Sequence, residues 1–127
     1  MKYIKILFAV MALYYALCGV VFSFFPASFF DFFDVTYPNH WSYVHFIGMT
    51  TFIYALMARD VAKDPMKNRN LIVYLALVHV FYAIGIFVDS GLFGMPTVWL
   101  YTAYASAANS ILYFWICYLL GKPASNR

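Results

Sequence analysis

A chain of 127 residues that is 65% hydrophobic, 23% aromatic and only 10% charged, with no glutamate, cannot cover a water-facing surface. One domain in an apolar solvent is the expectation, and that solvent is a bilayer. The formal net charge of +3 does not point to nucleic acid, because the basic residues stand at the ends of apolar runs and not on a soluble face.

Lys2 and Lys5 precede an uncharged run over 6–25. A basic start and an apolar centre resemble a secretory signal, but the run is too long and no A-x-A site follows. It reads as a retained membrane span, broken by Pro26. Over 27–40 the chain predicts a short amphipathic turn or helix lying in the interface. At 100° per residue Phe25, Phe29, Phe32 and Phe33 fall on one side, with Ser28 and Asp31 expected opposite. Tyr37, Pro38 and Asn39 form a turn. Trp41 and Tyr43 then mark the headgroup level.

A second span covers 41–58. The charged block over 59–70 holds half of the lysines and arginines, and it is expected to be a water-exposed loop with a turn at Asp64 and Pro65. A third span covers 71–88. Asp89, Ser90 and Gly91, followed by Gly94, Met95 and Pro96, predict a short polar loop. A fourth span covers 97–120 and ends in a polar tail after Gly121. The fold class is therefore an all-α integral membrane protein: an antiparallel four-helix transmembrane bundle with a short interfacial helix between helices 1 and 2.

Orientation follows from charge. With four spans, Lys2, Lys5, Arg59, Lys63, Lys67, Arg69, Lys122 and Arg127 fall on one side, and the other carries only Asp31, Asp34 and Asp89. The positive-inside rule then places both termini in the cytoplasm and the protein in a bacterial inner membrane. Packing is expected from small residues: Thr102, Ser106 and Ser110 with Ala103 and Ala107, then Ala12 and Ala16, and Gly48 with Ala55. Cys18 and Cys117 read as small packing residues, without a CxxC motif or a disulfide.

Polar side chains inside the membrane are where function is sought. His79 and Asn109 fall at nearly the same depth, and Tyr14, Tyr15 and Tyr82 have the flat faces and donors of a ligand site. The bland account is a hydrogen-bonded knot that fixes helix register; the other is a site for a quinone or lipid-like molecule. Trp41, Tyr43, His45 and Asp89 form a candidate outer mouth, for which interfacial anchoring is an equal explanation. His45 and His79 raise haem b, but their heights differ by roughly 9 Å at 1.5 Å per residue, too much for axial ligands of one macrocycle. No catalytic arrangement, metal-ligand spacing or intramembrane carboxylate is present, so no cofactor is expected.

The basic start, the aromatic first outer segment ending Tyr37-Pro38 and the charged Asp64-Pro65-x-Lys67-x-Arg69 hairpin together resemble the small bacterial four-helix membrane proteins of the DoxX-like and BphX-like kind. The resemblance spans the chain as a layout. It implies a membrane protein, in some members linked with oxidoreductase or degradation systems, and it carries over no functional residue. The expected function is a non-catalytic accessory or scaffold subunit of a larger membrane complex. Its partners are the bilayer and other membrane subunits or further copies of itself.

Overall fold

The computed structural model describes residues 1–121 apart from 37, 39, 95 and 96, and leaves aside the side chains of Phe93, Thr97 and Val98. The turn expected at Tyr37 and Asn39, the Met95-Pro96 step and the basic tail carrying Lys122 and Arg127 lie outside the described residues. The rest is helical: α1 (Lys2–Phe24), α2 (Pro26–Phe32), α3 (Trp41–Lys63), α4 (Arg69–Phe93) and α5 (Thr97–Gly121).

Three of these are long and apolar enough to cross a membrane, over Lys2–Phe24, Arg69–Leu92 and Trp99–Gly121. At 1.5 Å per residue each exceeds the ~30 Å hydrocarbon layer. Only 17%, 28% and 39% of their most apolar stretches are buried within the protein, so apolar side chains dominate what each helix turns outward. α3 is as long as α1 but more dilute in apolar residues. Ser42, Tyr43, His45, Thr50 and Thr51 lower its hydropathy, and Arg59, Asp60 and Lys63 end it.

The helix boundaries correct two expected loops. The block over 59–70 is helical at both ends and turns only between Asp64 and Asn68. Arginine, alanine and lysine are good helix formers, so charge ends a membrane span without ending a helix. Pro65 stops it, and the residue before it, Asp64, is extended at φ −146°, ψ 92°. Likewise Asp89, Ser90 and Gly91 continue α4 and do not form a loop; the helix stops at Gly94, left-handed at φ 65°, whose N–H bonds the Ser90 carbonyl.

The chain divides into two compact units, Met1–Asp64 and Pro65–Arg127. In the first, α1 and α3 form an antiparallel hairpin. Tyr15 meets Tyr54 with ring centres 6.1 Å apart, the Phe52 ring lies over Gly19, and the Ser23 backbone lies against Gly48. The buried or half-buried positions of α3, Val44, Gly48, Thr51, Ala55 and Ala58, follow the alternating four-three spacing of a knobs-into-holes seam. In the second unit α4 pairs with α5, again antiparallel, and the seam of α5 runs Ala103, Ser106, Ser110, Tyr113, Cys117 and Leu120.

α2 begins with Pro26 at its first position, after Phe25 has bent the chain. Its end is a complete Schellman motif: Val35 N–H donates to the Phe30 carbonyl and Asp34 N–H to the Asp31 carbonyl. Ser28 lines the same groove as Phe25, Phe29, Phe32 and Phe33, which corrects its expected place on the polar side. Three residues from Phe25 and four from Phe32, it shares their face of a helix. Asp34 adopts φ 50°, a left-handed conformation that glycine enters more freely. Asp34→Gly is therefore expected to stabilise α2 by about 0.5 kcal/mol, read as slower amide exchange across residues 26–35; faster exchange would contradict it.

Candidate functional site

The polar residues singled out from the sequence are divided between the two units. His79, Asn109, Tyr82 and Asp89 belong to the second; Tyr14, Tyr15, Trp41, Tyr43 and His45 belong to the first.

In the second unit, α4 carries His79 half-buried against α5. The ring set against it is Tyr113, with centres 5.6 Å apart and planes tilted by 60°. Tyr113 is wholly buried, and Asn109 lies half-buried one helical turn before it. Toward the other end of the hairpin the Tyr82 and Thr102 hydroxyls share a hydrogen bond of 3.2 Å. Thr102 also donates to the Trp99 carbonyl at 2.7 Å, and Phe87 stands edge-on to Tyr104. Ser106 and Ser110 are buried, and the Ser110 hydroxyl donates back to the Ala107 carbonyl at 2.7 Å. At the basic end, Cys117 is a free thiol 3.8 Å from the Arg69 carbonyl, and the Arg69 guanidinium lies over Gly121. Asp89 is exposed on the last turns of α4.

In the first unit Tyr15 is buried between its exposed neighbour Tyr14 and Tyr54, with ring centres 5.6 and 6.1 Å away. Thr51 and Thr50 return their hydroxyls to carbonyls one turn back, at 2.7 Å to Gly48 and 2.8 Å to Ile47. His45 reaches across the hairpin: its Nδ1 lies 3.0 Å from the Ser23 carbonyl. That carbonyl stands in the last turn of α1, where intrahelical partners run out, so His45 serves as a cap supplied by the neighbouring helix. Trp41 packs edge-on against Phe30 at 5.7 Å. Tyr43 is exposed and faces the His40 ring at 6.3 Å. Of the proposed outer mouth, His45 and Trp41 are thus engaged by their own hairpin.

Beside α2 an open groove of roughly 480 Å³ is lined by Val21, Phe25, Ser28, Phe29, Phe32 and Phe33. Phe29 forms its firm wall, with Phe22 and Phe33 rings 4.7 and 4.8 Å away. Sequence reasoning placed these aromatics at the interface but did not see a groove; it also missed Tyr113, Tyr54 and Ser23.

Charge gathers at one end of each hairpin. Lys2 and Lys5 start α1 while Arg59 and Lys63 end the antiparallel α3. Asp60 pairs with Arg59 at 3.0 Å and Lys63 at 3.4 Å. The hydrogen bond from Arg59, reinforced by Lys63, holds its carboxyl below the ordinary value. A depressed carboxylate contributes stability above its unfolded pKa and loses it as the pH falls through the folded value. The pair is exposed and screened, so Asp60→Asn is expected to flatten a shallow acid limb in thermal stability and leave neutral stability unchanged. An unaltered acid limb would show that the pair contributes nothing.

Among the described residues no three of His, Cys, Asp and Glu gather as a metal site needs. Comparison with protein-family models, with curated proteins and with solved structures gives no match. Fold and site together define a helical protein with three helices fit to cross a membrane.

Proposed function

We propose that the chain is a non-catalytic integral membrane protein of four spans, acting as an accessory or scaffold subunit of a larger complex in a bacterial inner membrane. The observation that carries this reading is where the polar groups go. Thr50, Thr51, Thr102, Ser110 and His45 bond to backbone or side chains of their own hairpin. Large apolar side chains such as Leu13, Phe46, Phe81, Ile111 and Trp115 face outward. Groups that satisfy one another fix register and leave little capacity for a reacting substrate.

α3 is the fourth span in this reading. It runs antiparallel to α1 through the Tyr15–Tyr54, Gly19–Phe52 and Ser23–Gly48 levels, so a bilayer that holds one holds the other. The coincidence of Lys2 and Lys5 with Arg59 and Lys63 at one end supports cytoplasmic termini, as does the DoxX-like layout. A fluorescent protein that matures only in the cytoplasm, fused after Arg127, is expected to glow; a dark fusion with an active periplasmic reporter would remove a span.

Native mass spectrometry of protein extracted gently from its own membrane tests the subunit role. Stoichiometric membrane-protein partners, or further copies of this chain, are expected. A lone chain carrying one quinone per molecule would overturn the reading in favour of a ligand site beside His79. The half-buried His79–Tyr113 ring pair is what favours that second account.

A further inference from the structure

The groove beside α2 lies at the end of α1 farthest from Lys2 and Lys5, where four phenylalanines and Val21 leave Ser28 as its single polar side chain. Water is a poor occupant for such walls, and an acyl chain of the surrounding leaflet is a good one. Charge narrows the choice of lipid. Asp31 lies between Phe29 and Phe32 in the chain, Asp34 directly follows Phe33, and both are exposed. Both also stand at the C-terminal, partially negative end of α2. No lysine or arginine occurs between Lys5 and Arg59. A head group carrying only negative charge would meet charges of its own sign here, whereas an ammonium group meets the opposite one.

We propose that this groove holds an acyl chain of a phosphatidylethanolamine lipid, with its ammonium group set against Asp31 and Asp34. The site needs only that α1 spans the bilayer, and it stands whether or not the chain is a subunit of a complex.

Photo-crosslinking in vesicles tests it. The protein is reconstituted with phosphatidylethanolamine or phosphatidylglycerol carrying a diazirine in the acyl chain, each diluted equally into phosphatidylcholine, and the labelled peptides are mapped. Labelling within residues 21–33 is expected to be about threefold heavier with phosphatidylethanolamine, the scale an exposed ion pair supplies. The double variant Asp31→Asn/Asp34→Asn keeps the fold, since asparagine tolerates the left-handed conformation at position 34, and it should bring the two lipids to parity. Phe32→Ala removes a wall that is 81% exposed and should lower labelling at the groove while sparing the outward faces of α4 and α5. Equal labelling by the two lipids in the unaltered protein, or a preference that survives the double variant, would reduce the groove to ordinary bilayer contact and overturn the proposal.

Discussion

Gly48→Val is expected to open the first hairpin, with a loss of about 3 kcal/mol, the upper end of what overpacking costs. A Cβ at Gly48 would lie 2.7 Å from the Ser23 backbone nitrogen and 2.9 Å from the Phe22 carbonyl carbon. A flexible side chain can swing aside from such a contact, but two backbones can only separate. Separation would also draw His45 off the Ser23 carbonyl, one helical turn from the contact. In water a glycine replaced inside a helix recovers up to ~1 kcal/mol of propensity. In a membrane the separated helices stay helical, so that gain is largely absent. Gly85 and Gly91 supply the control, since nothing lies within 4 Å of a Cβ at either; alanine there should stay within about 0.5 kcal/mol. Reversible unfolding in mixed micelles reads all three. If Gly48→Val unfolds at the same denaturant concentration as the parent protein, the close crossing is not where the hairpin is held.

How much of this was legible beforehand depends on the kind of signal. Helix positions were, because apolar runs of membrane length between basic residues admit little else. Gly48 and Ala55 were recognised as close-approach residues, and they lie in the buried seam of α3. Helix ends were not, because loss of apolarity was read as loss of helix. Arg59, Asp89 and Ser90 leave the apolar run, yet the backbone continues until Pro65 and Gly94 interrupt it. α3 shows the converse: its hydroxyls and imidazole make it read as less apolar than its partner, although they bond inward. The sequence also paired His79 with Asn109 on depth alone. Depth counts residues from a boundary, whereas pairing follows the packing seam. Extending the Ala103–Ser106–Ser110 stripe by its own three-four spacing reaches Tyr113, then Cys117 and Leu120, and that signal was available. The groove at α2 was not legible, because it depends on how Pro26 folds a short helix back beside the end of α1.

Tyr113→Ala is expected to be the most damaging change in the second unit. Tyr113 is the largest fully buried side chain described, and it stands against His79. In a soluble core, aromatic-to-alanine changes cost about 3–5 kcal/mol, part of it lost transfer from water and part the cavity left behind. In a bilayer the transfer part shrinks, because lipid is as apolar as the core. What remains is the loss of close packing against neighbours fixed by Ser106, Ser110 and the Tyr82–Thr102 bond. About 2 kcal/mol is the expected loss, read by the same unfolding titration with a reporter confined to residues 65–127. Tyr113→Phe keeps the volume and should cost only about 0.6 kcal/mol, the average for one interhelical hydrogen bond. A large loss for alanine with a small one for phenylalanine would show that the ring holds the hairpin by shape. Equal losses would place the energy in the hydroxyl, and the layer around His79 would then be polar in purpose and open to a ligand's carbonyl.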